Sequence, residues 1–236
     1  MYKYYIIIHI FQWGVITIMN KETKILYELH KSFFKSYFQN EEELERFLLE
    51  KITCSKDDIP RRMINTVHRL VVLSDDMIKV RSGSRDLTIF FILTCIEALY
   101  TLVPDLKMKK QDIIIDFFEK YLCENDKEKI QTKISILVDD HDTPSLEDPS
   151  IEQFALLLIA VRNNLAHEGV YWKLHFEDES SEDSMLHTFK SKLKKDGGFS
   201  DITYEIGITY KEFRLACMRA FINFINDYYR THCLSD

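Results

Sequence analysis

Residues Leu87 to Val103, LTIFFILTCIEALYTLV, are apolar almost all the way round at helical spacing, and a helix of that kind has to be buried on most of its faces. Whatever the chain folds into must wrap this segment. Its one charge is Glu97. A carboxylate carried into a core without a partner costs several kcal/mol, so it either takes up a proton or finds a cation. A second very apolar run, IEQFALLLIAV, places Ile151, Phe154, Leu158 and Val161 three to four residues apart, the spacing of a buried helical face. Arg162 ends this run and is the natural counter-ion for Glu97, which would set the second helix against the middle of the first.

The rest of the chain reads as helices around these two. Lys21 to Phe38 brings Ile25, Leu26, Leu29, Phe33, Phe34 and Phe38 to helical spacing, and Glu41 to Ile52 repeats the pattern after a Gln-Asn break, so a helical hairpin is expected with those residues inward. Ile59 to Val80 opens with Pro60 near a helix start and turns Ile64, Val67, Val71 and Ile78 inward, leaving Arg61, Arg62 and Arg69 as a solvated face. Arg81 to Ser84 is a turn and the expected boundary with the core. Helices follow at Lys110 to Leu122 and Lys127 to Val138, then a loop from Asp139 to Pro149 in which Ser145 and Ser150 suit turn and capping roles. Asp201 to Ile208 alternates as a short strand, with Tyr171 to Phe176 as the expected hairpin partner, and Tyr210 to His232 closes the chain as a helix. Six glycines and four prolines in 236 residues leave few breaks, as long helices require. The expected fold is all-α, with an apolar tail over residues 1–19, an N-terminal helical extension over 20–84, and a helical bundle over 85–236. A small β-hairpin or loop insertion precedes the last helix.

The candidate chemistry sits where the second apolar helix ends, in Arg162-Asn163-Asn164-Leu165-Ala166-His167. Gly169 suits the left-handed position just past a helix end, which puts His167 in the last turn. The helix dipole there stabilises a charged imidazole by ~0.3–2 kcal/mol. Asn163 lies four residues before His167 on the same face and can orient the ring. Arg162 points about 140° away from it, so it has to bend back or meet the histidine of a second copy. Attack of a ribose 2′-hydroxyl on the adjacent phosphate needs a base, an acid for the leaving oxygen and positive charge on the phosphorane, with no metal obligatory. One motif offers one histidine and one arginine; two copies across a twofold axis offer both proton-transfer groups and two forked guanidiniums.

The spacing R-x4-H, with Asn directly after the Arg, a long apolar helix in front, a glycine behind and the earlier segment Cys95-Ile96-Glu97-Ala98-Leu99, resembles the HEPN superfamily, whose signature is R-x4-6-H. The resemblance covers roughly residues 85 to 232 and leaves the first 84 unexplained. It implies an all-helical, metal-independent, dimeric ribonuclease with Arg162, His167, Asn163 and Glu97 as site residues. It also implies a role as a toxin or a phage-defence or stress effector, held in check by an antitoxin or regulatory protein. Toxin-type relatives carry a tyrosine two residues after the histidine. Here Tyr171 lies four residues after it, so Tyr171 is retained only as a neighbour of the site.

Five acids in the seven residues Glu177 to Asp183, followed by Lys190, Lys192, Lys194 and Lys195, read as a solvated loop whose Lys190 and Lys192 can also meet phosphates. Asp139, Asp140, His141 and Asp142 resemble a metal site only superficially, because neighbours in one loop rarely converge on an ion without ligands from elsewhere; no metal and no cofactor is expected. The net charge of -7 excludes a protein that coats nucleic acid by charge, so any RNA contact is local. Five cysteines with no close C-x-x-C pair read as reduced thiols in a cytoplasmic protein. The tail MYKYYIIIHIFQWGVITIM is broken by His9, Gln12 and Thr17, which argues against a spanning helix. A start at Met19, a membrane tether and an added strand are the readings of it. The alternative to an enzyme is a helical module binding a nucleotide or partner, in which Arg162, Glu97 and Asn163 are a polar network that fixes helix register.

Overall fold

This computed structural model describes residues 21–80, 85–138, 145–169, 174, 176–177, 185–191 and 200–234. The apolar tail, the Arg81–Ser84 turn and the acidic loop at Asp139–Asp142 lie outside them. So do Tyr171, Lys192, Lys194, Lys195 and most of the Glu177–Asp183 block. The described chain is mostly helical. Its helices are α1 (Lys21–Phe34, continued by a 3-10 turn Lys35–Tyr37), α2 (Glu41–Ile52), α3 (Ile59–Val80), α4 (Arg85–Leu102), α5 (Lys110–Tyr121), α6 (Glu124–Lys133), α7 (Ile151–Glu168) and α8 (Tyr210–His232). Its strands are β1 (Ile134–Val138), β2 (Ser145–Glu147), β3 (Met185–Ser191) and β4 (Ser200–Ile206). The chain divides into two compact units, residues 1–68 with 225–236 and residues 69–224. The divisions fall inside α3 and α8.

In the first unit, α1 packs on α2. Asn40 caps α2 by accepting a bond from the Glu43 amide at 2.9 Å, which stops the preceding turn and starts the new helix. The inward face of α1 differs from the one expected. Ile25, Leu26 and Leu29 are exposed, at 59%, 37% and 53%, while Tyr27, His30 and Phe34 are buried. The reason is polar satisfaction. His30 Nε2 meets Asn65 Oδ1 at 2.8 Å and its Nδ1 meets His68 Nδ1 at 3.0 Å. With both ring nitrogens bonded, burying the imidazole costs little, and the ring of Phe33 stacks on His68 at 4.4 Å. Burial, reinforced by His68, pushes the pKa of His30 down to about 4, so it is buried neutral.

In the second unit, α7 packs against both α4 and α5. The α7 start is a full capping box. Ser150 Oγ accepts from the Gln153 amide at 3.1 Å, and Gln153 Oε1 accepts from the Ser150 amide at 2.8 Å, satisfying two amides that no helix turn can reach. Phe118 of α5 meets Phe154 of α7 edge-on at 5.6 Å, and Phe154 meets Phe213 at 6.1 Å; all three are buried, each contributing about 1.5–3 kcal/mol of hydrophobic stabilisation. Asp86, in the first turn of α4 and fully buried, accepts a bond from the Leu174 amide at 3.2 Å. The chain leaving α7 is thereby tied to α4. Arg214 grips Asp75 through two bonds of 2.7 Å, joining α8 to α3.

The β structure is larger than a hairpin. The four strands are antiparallel in the order β2-β1-β4-β3. Four expectations change as a result. Residues 134–138 are a strand and not the end of a helix, because ISILV alternates β-branched residues whose Ile134 and Ile136 turn inward, with Ile136 opposite Tyr204. Gly207 sits at this junction because its amide bonds the Lys133 carbonyl at 2.7 Å and an added Cβ would come within 2.9 Å of the same oxygen. Ser145 belongs to β2 and not to a turn. The partners of β4 are β3 and β1; of the expected partner Tyr171–Phe176 all but Leu174 and Phe176 lie outside the described residues, and Glu177, just after it, makes a parallel bridge to Thr209. Residues 185–191, expected as part of a solvated loop, are ordered as β3 by a seven-pair register with β4.

Candidate functional site

The site is assembled by three helices. Glu97 lies one turn before the end of α4, Arg162 lies in the C-terminal half of α7, and Lys110 opens α5. Arg162 Nη1 pairs with Glu97 Oε1, as the two apolar runs predicted. Their side chains are 14% and 19% exposed, so the pair is largely but not wholly desolvated. Arg162 Nε also donates to Asn163 Oδ1 at 3.0 Å. Among the described residues two of the five guanidinium N–H donors are thereby engaged, which leaves three for an anion.

His167 occupies the last turn of α7 and is exposed. Gly169 ends the helix in the left-handed conformation (φ 67°) with its amide bonded to Leu165, the geometry that glycine adopts without the penalty a Cβ brings. The expectation that Asn163 orients His167 is not met. The carboxamide oxygen is taken by Arg162, and among the described residues the imidazole has no hydrogen-bond partner. Arg162 is turned to Glu97 of α4, while His167 is exposed at the helix end. Their separation follows from a five-residue step on a helix that turns about 100° per residue.

Lys110 was not singled out by the sequence. Its Nζ lies 3.8 Å from Glu97 Oε2 with the side chain 77% exposed, so one carboxylate stands between two cations. The signal was the short connection after Leu102: α5 packs back on α4, which sets the first turn of α5 beside the last turns of α4. Lys190 lies on β3 opposite Asp201, and Tyr171 and Lys192 fall outside the described residues. Arg61, Arg62 and Arg69 are exposed, as expected of a solvated face. All five cysteines are free thiols. Among the described residues no group of three metal-ligating side chains occurs, and no helix is long and apolar enough to cross a membrane. No protein-family model, curated protein or solved structure matches this chain, so its reading rests on the geometry and chemistry above.

Proposed function

We propose that the protein is a metal-independent endoribonuclease of the HEPN type, acting as a homodimer on RNA in the cytoplasm as a toxin or as a phage-defence or stress effector. An antitoxin or regulatory protein would restrain it. The observation that carries this reading is the division of labour along α7. Arg162 is locked by Glu97 with donors to spare, and His167, five residues on, is exposed at the helix end. In a twofold pair, one His167 takes the proton from the 2′-hydroxyl as its oxygen attacks phosphorus. The other gives a proton to the departing 5′-oxygen, and the guanidiniums stabilise the charge of the phosphorane. The products are a 2′,3′-cyclic phosphate and a free 5′-hydroxyl. Glu97 acts through Arg162 as a positioning residue. Asn163 does the same by accepting a hydrogen bond from Nε.

The test is cleavage of RNA by purified wild type, Arg162→Ala and His167→Ala in the presence of a chelator, with the new ends mapped. Losing the proton-transfer group should reduce cleavage about 10²–10⁴-fold, and the ends should carry the cyclic phosphate. Unchanged cleavage by His167→Ala sinks the proposal. One observation favours a second reading. The Glu97–Arg162–Asn163 hydrogen bonds tie α4 to α7 within the chain, as a register-fixing element of a non-catalytic nucleotide- or partner-binding module would. Wild type that binds nucleotide and leaves RNA intact would establish that module instead.

A further inference from the structure

Three lysines, Lys107, Lys109 and Lys110, fall within four residues where the chain enters α5, and all three are exposed. Lys109 and Lys110 occupy the N-cap and first position of that helix, with no side-chain cap. Cations at a helix start oppose the dipole and destabilise it by about 0.3–1 kcal/mol; α2 opens with Glu41, Glu42 and Glu43 and α6 with Glu124 and Asp126, whereas α5 opens with two lysines ahead of Asp112, and α3 has Arg61 and Arg62 in its first turn with no acid. What sets the α5 lysines apart from the α3 arginines is their place beside Glu97 and Arg162. Lys110 reaches the same carboxylate that Arg162 holds. The ion pair between Lys110 and Glu97 is long and its lysine is 77% exposed, so it contributes little stability and an incoming anion can draw the lysine away. Arg162 and Lys110 thus bracket Glu97 with one excess positive charge, and Lys107 and Lys109 extend that charge away from the core. On a chain of net charge -7, such a local concentration is where a polyanion would engage.

We infer that Lys110, with Lys109 and Lys107 behind it, is the grip that holds backbone phosphates of a single-stranded RNA next to the linkage addressed by Arg162 and His167. This rests on the ribonuclease reading of the same site. Each lysine acts as a point charge on a phosphate oxygen, carries no base preference, and sets how strongly substrate is held.

The test uses the full chain and a 2′-O-methyl RNA oligonucleotide, which lacks the attacking hydroxyl, followed by fluorescence anisotropy between 50 and 200 mM salt. Each phosphate contact in a single strand contributes a slope of about -0.7 in log affinity against log salt. Lys107→Gln/Lys109→Gln/Lys110→Gln should therefore flatten the slope by about 2, and Lys110→Gln alone by about 0.7 with weaker binding. Lys110→Arg should restore both. On cleavable RNA, Lys110→Gln should raise KM with kcat within about twofold, a split that a merely structural lysine would not produce. Equal affinity and slope in wild type and the triple variant overturn the grip, while cleavage by both leaves the ribonuclease reading standing. Wild type that binds the blocked oligonucleotide through these lysines and cleaves nothing overturns the ribonuclease reading and keeps the grip. Wild type that binds no RNA overturns both.

Discussion

Replacing Glu97 by leucine strands a guanidinium that is only 14% exposed, whereas replacing Arg162 by methionine leaves a carboxylate that is 19% exposed and still has Lys110 at 3.8 Å. The two single variants are therefore unequal. Breaking a fully buried pair costs about 3–5 kcal/mol and breaking an exposed one about 0–1 kcal/mol, so at these exposures Glu97→Leu should cost about 2–3 kcal/mol. Arg162→Met should cost about 1–2 kcal/mol, because Glu97 keeps a cation and methionine preserves the apolar stem that packs beneath the guanidinium. The double variant removes both charges from the interface of α4 and α7 and should return to within about 1 kcal/mol of wild type, since a well-packed apolar pair often matches a buried ionic one. Urea unfolding of the four proteins, followed by circular dichroism, closes the cycle and should show a coupling of at least about 1.5 kcal/mol. Additive single effects, or Arg162→Met costing more than Glu97→Leu, would refute the view that this pair anchors the two helices and that Lys110 shares the carboxylate. The double variant also separates anchoring from chemistry, because it should be folded and unable to cleave RNA.

Three other outcomes test the packing. His30 is buried neutral with its pKa lowered to about 4 from an ordinary 6.5, so the unfolded chain takes up a proton that the folded one refuses. Stability should be independent of this group above about pH 6.5 and fall as pH drops toward 4, by up to about 3 kcal/mol. In His30→Gln that part of the slope should vanish, and an unchanged slope in urea midpoints would count against the reading. The Tyr27 hydroxyl is buried without a hydrogen-bond partner among the described residues, and an unsatisfied buried group costs about 1–3 kcal/mol. Tyr27→Phe should accordingly raise stability by about 1 kcal/mol, and a fall of that size in the unfolding midpoint would contradict it. Ser150→Ala removes one half of the α7 capping box and should cost about 1 kcal/mol in the same assay, with the loss absent in Ser150→Asp.

Much of the helical framework was legible because its determinants are local. The bounds of α3 and α8, the cap at Ser150, the left-handed end at Gly169 and the pairing of Glu97 with Arg162 follow from periodicity, capping chemistry and the cost of a lone charge in an apolar helix. Tertiary structure decided what depends on residues distant in the chain. Which face of α1 turns inward depends on Asn65 and His68, 35 and 38 residues beyond His30, because their bonds remove the penalty of burying the imidazole on the face opposite Ile25, Leu26 and Leu29. The change from helix to strand at Ile134 required β4, whose residues pair with β1 from some seventy positions further on; a short apolar run has no preference strong enough to choose alone. Lys110 joined the site for the same reason, since a charge becomes part of a cluster only when two helices fold back on each other and bring it within reach of a carboxylate.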